Sequence, residues 1–217
     1  MKVVKFLLVV FVLLFLLFLG IGLVLPKDYV VERSITMDAP PIIAFAQVND
    51  LTRWEEWSPW KKLDPDMKVT YGDKTIGAGA SYSWDGEETG TGTLTIRGSE
   101  LGKRIDTTID FGPQGTGSGY WIFEKEGSGA KVTWGMKGTN SGPIGGWFTL
   151  IIDDMLGPQF MEGLQGVKEL AEKEASRKPA IGSALEQVIR QAGQELGGAL
   201  EEMGKAMEEA GKRGLGN

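Results

Sequence analysis

The chain has 217 residues, with 23 Lys plus Arg against 29 Asp plus Glu, 32 Gly, and neither Cys nor His. Without thiol or imidazole, zinc fingers, Cys-His and Ser-His-Asp nucleophiles, the usual haem ligands and a disulfide framework are excluded, so any chemistry must run on carboxylates, hydroxyls, lysine, tyrosine or water. A net charge of −6 argues against nucleic acid, whose phosphates are bound by clustered Lys and Arg.

The first element is apolar throughout. Residues 6–25, FLLVVFVLLFLLFLGIGLVL, carry no charge, and at about 1.5 Å per residue a helix of this length covers about 30 Å, the thickness of bilayer hydrocarbon. A cleaved signal has a core of about 7–15 apolar residues and a small-x-small cleavage site. Leu23-Val24-Leu25-Pro26 offers none, so residues 1–27 read as an uncleaved, single-pass membrane anchor. Lys2 and Lys5 precede the run and, by the positive-inside rule, predict a cytoplasmic N-terminus and an extracytoplasmic remainder.

Residues 28–175 read as one domain, with a net charge of −9 once the three lysines flanking the anchor and the balanced tail are set aside. Over 29–37, Val31, Ile35 and Met37 share a face and predict a strand. Asp38-Ala39-Pro40-Pro41 then opens a helix over 42–48, and Asp50 can cap a second over 51–57. Strands are expected over 68–71, 78–85, 89–99, 104–111, 117–125 and 131–137, separated by turn-like segments such as Asp85-Gly86. This is an antiparallel meander. From Ile144 the period is helical, with Trp147, Ile151, Met155, Phe160, Leu164, Val167 and Ala171 as an apolar stripe interrupted at Gly157-Pro158. The element order predicts an α+β layer in which a curved sheet wraps a long, kinked C-terminal helix, with a pocket between them.

The remaining residues, 176–217, form a Gly-containing amphipathic tail. Ile181, Leu185, Val188, Ala192, Leu196, Ala199, Met203 and Met207 recur at helical spacing, whereas Gly193, Gly197, Gly198 and Gly204 each weaken a helix by up to about 1 kcal/mol relative to Ala. Six basic and six acidic residues cancel, so the tail lacks the cationic face of a membrane-surface helix. It reads as loosely folded or partner-dependent, with self-association or a protein partner expected through 180–210.

Four stretches carry a resemblance: NDLTRWEEWSPWKKLDPDM over 49–67, Gly77-Ala78-Gly79-Ala80-x-Tyr82-x-Trp84, KVTWGM over 131–136, and Phe160-x-x-Gly163-Leu164 with Leu170. Together they resemble the START-like SRPBCC superfamily, in particular its polyketide cyclase/dehydrase-like branch, over about residues 28–175. The resemblance implies a helix-grip fold, a curved antiparallel sheet holding a long C-terminal helix over a deep apolar cavity, here preceded by one transmembrane helix. An anchor in front of the domain is also similar to members of that branch. The family includes lipid carriers, hydrophobic-ligand binders, chaperone activators and a few cyclases, so the fold assigns no activity.

Trp54, Trp57 and Trp60 are spaced by three and form either the lip of a cavity or a plug where the sheet meets the short helices. Trp54 reads as plug; Trp57 and Trp60 stay open between the two. Strand alternation puts Tyr82 with Trp84, Ile109 with Phe111, and Val132 with Trp134 and Met136 on single faces. Leu94, Ile105 and Val132 read as packed core. Tyr82 and Trp134 carry polar handles, and Met136 and Met155 adapt to varied ligands. The candidate ligand-binding set is therefore Trp57, Trp60, Tyr82, Trp84, Phe111, Trp134, Met136 and Met155.

Catalytic signals are weak. Asp153-Asp154 lies on the long helix, where adjacent residues point about 100° apart, so at most one faces a cavity. Glu87-Glu88 follows a turn, and Asp64-x-Asp66 lacks the further ligands and Gly of a calcium loop. Gly115-x-Gly117-x-Gly119 leads into a strand, whereas a dinucleotide fingerprint follows one and opens a helix. No catalytic pair, metal site or cofactor is expected. The leading reading is a membrane-anchored binding module for an apolar or amphipathic small molecule, such as a lipid. A cyclase- or dehydratase-like enzyme using a cavity Asp or Tyr is the second, marked by a buried Asp153 or Asp154 beside Tyr82. An envelope protein-interaction module is the third.

Overall fold

The computed structural model describes residues 2–112, 115–177 and 180–214, with the side chains of 180–186 and 208–214 excepted. Helix α1 (Lys2–Val24) is the apolar run and is exposed over most of its length. Strand β1 (Asp28–Met37) leads into helix α2 (Pro41–Asn49), a 3-10 turn (Leu51–Arg53) and two short helices, α3 (Trp54–Trp57) and α4 (Pro59–Leu63). Six strands follow: β2 (Lys68–Tyr71), β3 (Ser81–Gly86), β4 (Gly90–Glu100), β5 (Arg104–Asp110), β6 (Thr116–Glu126) and β7 (Gly129–Thr139). Helix α5 (Gly142–Ser176) crosses the sheet, and helix α6 (Ala180–Gly214) ends the described chain.

The seven strands form one antiparallel sheet in the order β1-β7-β6-β5-β4-β3-β2. It is the expected meander with β1 added beside β7, where Val31 faces Met136 and Ile35 faces Val132. Between β4 and β5 the register shifts at Ile96 and Gly98, and a bulge of this kind adds twist and bends the strand. The sheet's concave face holds α5.

The short helices close one end of that concavity. Pro41 opens α2 at a position whose N–H would have no helical partner. At its other end two carbonyls left unpaired by the helix are taken by indoles: Trp54 Nε1 donates to the Val48 oxygen at 2.9 Å and Trp57 Nε1 to the Gln47 oxygen at 3.1 Å. The two rings thus serve as C-terminal caps while their faces fill the core. Asp50 caps the 3-10 turn through Thr52 N at 3.1 Å.

Helix α5 departs from expectation in register. It runs unbroken through Pro158, so the stripe is set by steady rotation of about 100° per residue. Counting back from buried Phe160, Leu156 and Ile152 stay on the core side, and Met155 and Ile151, each 50% exposed, turn outward. The break anticipated at Gly157-Pro158 had shifted the N-terminal half by one residue. At this point β1 grips the helix: Arg33 donates two hydrogen bonds of 2.9 Å to Asp153, and its guanidinium lies so close to Gly157 that a Cβ there would fall 2.0 Å from Nη2.

Three stacked rings set the spacing of helix and sheet. Phe160 of α5 lies 4.2 Å from Trp134 of β7, which lies 4.4 Å from Trp121 of β6, both pairs nearly parallel. Gly163 gives Trp134 its seat, since a Cβ there would sit 2.6 Å from Cζ3. Gly163→Ala sets a helix-propensity gain of up to about 1 kcal/mol against overpacking of about 1–3 kcal/mol, so a net loss of stability is expected. Gly193→Ala on α6, where nothing lies within 4 Å, should keep the gain alone. Thermal unfolding of both variants checks this; a Gly163→Ala protein as stable as the parent would show that Trp134 is free to shift.

Candidate ligand cavity

Beyond the ring stack the helix and sheet diverge, leaving a cavity of about 270 Å³. Its wall combines Tyr82 and Trp84 of β3, Leu94 of β4, Thr107 and Ile109 of β5, Gly119 of β6, Trp134 and Met136 of β7, and Leu156 and Phe160 of α5. Trp54, Trp60, Leu63, Met67 and Phe111 complete it, and Glu88 and Thr89 stand at the β3–β4 turn. The lining is almost wholly apolar, as small-molecule sites usually are, and the volume falls just below their range of about 300–1,000 Å³. Leu63 and Glu88 are exposed and Trp60, Phe111 and Leu156 half-buried, which marks the mouth.

Polar groups in the wall are few. Tyr82 is only 8% exposed, and among the described residues neither its hydroxyl nor that of Thr107 has a hydrogen-bond partner. Burial pushes the Tyr82 hydroxyl well above its ordinary pKa, so it is a neutral donor and acceptor at any physiological pH. Neither oxygen is sealed off in the way that the Trp121 N–H is, so both stay open to a ligand atom that accepts or donates there. Trp84 differs, because its Nε1 already donates to the Thr89 oxygen at 3.3 Å.

One buried carboxylate braces the mouth. Asp64, at the end of α4, accepts at Oδ2 from the Glu88 amide (3.0 Å), the Thr89 amide (3.2 Å) and the Thr89 hydroxyl (3.1 Å). Desolvation opposes its ionisation, but the hydrogen bonds from Thr89 and Glu88, with Lys61 nearby, outweigh it and hold the carboxyl below the usual range. Asp64 therefore ties the segment bearing Trp60 and Leu63 to the hairpin bearing Glu88 and Thr89, a structural role in place of a metal loop.

Of the eight ligand-binding candidates, six line this cavity: Trp60, Tyr82, Trp84, Phe111, Trp134 and Met136. Two do not. Trp57 is 1% exposed, wedged against Trp54, Trp121 and Trp134 with its N–H spent on Gln47, so it is plug. Met155 points to the outer face of α5 because the helix does not break, and Leu156 takes its place on the wall. Thr107 was legible and missed: it sits between Ile105 and Ile109 in the alternation of β5. Asp153 and Asp154 are both exposed and outside the wall, and Arg33 holds Asp153 ionised below its ordinary range. Among the described residues no cluster of acidic side chains suited to a metal ion occurs.

Sheet and helix together define a helix-grip fold with a cavity between them. The chain belongs to the family described as "Polyketide cyclase / dehydrase and lipid transport", whose model matches residues 29–172. Solved structures similar to it include the di-domain ARO/CYC StfQ from the steffimycin biosynthetic pathway (16% identity, TM-score 0.54, covering 70% of this chain and 53% of that one). Others are the protein of unknown function SA2116 from Staphylococcus aureus (10%, 0.54, covering 70% and 98%) and the Aha1 dimer from Colwellia psychrerythraea (10%, 0.50, covering 66% and 96%). At these identities the likeness is one of fold. No curated protein matches the chain in sequence.

The Asp64 brace has a pH signature. Its folded-state pKa is depressed, so the stability it contributes is complete above the unfolded carboxylate value near 4 and is lost as pH falls through the folded one. Asp64→Ala should lower the melting temperature at pH 7 and flatten its decline below about pH 4. An unchanged acid limb in the variant would show that the carboxylate does not brace the hairpin.

Proposed function

We propose that this protein is a membrane-tethered module that holds an apolar or amphipathic small molecule, such as a lipid or one segment of it, between the sheet and α5. The observation that carries the reading is an apolar cavity whose deep wall presents two unpartnered hydroxyls, Tyr82 and Thr107. Shape selects an apolar body, and the hydroxyls orient a single polar group. No Lys or Arg lines the wall, and its one carboxylate, Glu88, stands at the mouth. A neutral ligand is thereby favoured over an anionic one, because an anion would enter past Glu88 without gaining an ion pair inside. Residues 6–25 supply the tether, and Lys2 and Lys5 support a cytoplasmic N-terminus with the cavity on the other side of the membrane.

The test is equilibrium binding to the full-length protein in nanodiscs. A compact neutral apolar fluorophore should bind saturably and an anionic analogue of the same shape more weakly. Tyr82→Phe keeps the apolar volume and removes one hydrogen bond of about 0.5–1.5 kcal/mol, which weakens a ligand using that handle by roughly two- to tenfold. Its melting temperature should not fall. Absence of saturable binding by every neutral probe, in a protein whose unfolding transition is intact, would remove the small-molecule reading.

A further inference from the structure

Helix α1 is joined to the domain by more than the chain. Trp147 of α5 stacks on Phe18 at 4.7 Å and donates from Nε1 to the Phe18 oxygen at 3.0 Å. Gly22 and Gly146 approach so closely that a Cβ on Gly146 would fall 2.4 Å from the Gly22 oxygen. Lys27 closes the corner, its ammonium donating to the oxygens of Gly22 (2.5 Å) and Gly142 (2.6 Å). Phe18 lies six residues before the end of α1, about 9 Å along its axis. The first turns of α5 therefore run beside the last turns of the apolar helix, at the same depth.

Those turns are built for such a place. Residues 139–152 contain no charged side chain, and the run ends at Asp153-Asp154. Ile144, Phe148 and Ile151 fall within an arc of about 60° on the helix surface, and all three are exposed, at between 40% and 67%. Trp147 flanks them, a residue type enriched at membrane interfaces. Strand register adds a direction. The edge of the sheet next to α1 is formed by Asp28 and Thr139, which pair with each other. Following the pairings across the sheet, Lys137 to Ser118, Ile109 to Leu94 and Trp84 to Gly92, the same edge carries Phe111 and the Glu88–Thr89 turn of the cavity mouth. The opposite edge carries the β6–β7 turn, close to Thr36, whose oxygen accepts from Lys168 some 26 residues along α5.

We propose that the first three turns of α5, through Ile144, Phe148 and Ile151, lie in the bilayer interface beside α1 and turn the cavity mouth toward the membrane surface. The partner is a lipid surface, because the apolar patch is continuous with a helix of membrane-spanning length and composition. The proposal rests on the reading that α1 is embedded in the bilayer, and the experiment separates the two.

The chain has no Cys, so single cysteines introduced into the full-length protein can be labelled with an environment-sensitive fluorophore in phosphatidylcholine liposomes, with or without a lipid carrying a nitroxide near its headgroup. Leu13→Cys reports on α1, Phe148→Cys on the patch, Glu88→Cys on the mouth and Lys125→Cys on the far turn. The Phe148 probe should be blue-shifted and lose emission to the nitroxide, the Lys125 probe should do neither, and the Glu88 probe should be quenched more than the Lys125 probe. Quenching of the Leu13 probe by a nitroxide deep in the acyl chains, with no quenching of the Phe148 probe by the headgroup nitroxide, would overturn the proposal while leaving the anchor reading intact. Loss of quenching at both positions would overturn both. Equal quenching at Glu88 and Lys125 would overturn the orientation of the mouth. A blue shift at Phe148 that depends on protein density and not on the nitroxide would assign the patch to a second copy of the chain and overturn the lipid contact.

Discussion

The stack of Phe160, Trp134 and Trp121 fixes the distance between α5 and the sheet, and the rest of the domain is arranged around that distance. Two near-parallel contacts of 4.2 and 4.4 Å leave little freedom for the helix to approach or withdraw. On one side of the stack the space is filled by Trp54 and Trp57, whose N–H groups are committed to backbone carbonyls of α2 and whose rings meet Trp121 edge-on. The Trp121 N–H itself finds no acceptor among the described residues and faces a surround of rings. On the other side the sheet and the helix leave the cavity between them. The cavity is what remains when one half of a helix-sheet interface is filled by aromatic plugs and the other half is lined by aromatic walls.

The polar atoms around the cavity are spent in different ways. Trp54 and Trp57 spend their donors on the backbone at 2.9 and 3.1 Å, which locks them as structure. Tyr82 and Thr107 spend theirs on nothing among the described residues, although Tyr82 is buried. Both oxygens are reachable, unlike the sealed Trp121 N–H, so they remain available to a polar atom of a ligand. Asp64 shows the opposite case, a carboxylate whose Oδ2 accepts three hydrogen bonds from Glu88 and Thr89 and which therefore acts on the shape of the mouth.

Much of this was legible in the chain. Alternation in the strands and the turn glycines predicted every strand to within a few residues, because period-2 burial is imposed by the pleat itself. The same alternation put Tyr82, Trp84, Trp134 and Met136 on the concave face. Trp57 and Met155 were misplaced for different reasons. Three tryptophans spaced by three cannot be sorted into plug and wall until the acceptors are known, and the Gln47 carbonyl that decides Trp57 becomes free only because α2 ends where it does. Met155 was lost to one assumption, that Pro158 breaks the helix. Its neighbours keep the helix whole, with Arg33 clamped on Asp153 and against Gly157. The tail was read as an amphipathic helix of uncertain hold. Helix α6 is continuous, touching the domain where Asn49 donates to Gln191 at 2.8 Å, and beyond that point Leu196, Met203 and Met207 are exposed.

The size and openness of the cavity follow a physical logic once the tether is considered. A carrier that ferries an apolar molecule through water must enclose it, because each square ångström of apolar surface left wet is unfavourable by about 25 cal/mol. At about 270 Å³ with an open mouth, this cavity encloses a compact body or the end of a longer one. For a module fixed beside the bilayer, as proposed above, that is sufficient, since the part of the ligand left outside need never enter water. Tethering also raises the effective concentration of a membrane-dissolved ligand at the mouth without any added contact, so modest affinity suffices. The proposed geometry also fits the position of the carboxylates Asp153 and Asp154 at the end of the charge-free run of α5. Placed one turn earlier, they would sit among Phe148, Leu150 and Ile151, and ionised groups there would oppose the proposed membrane contact.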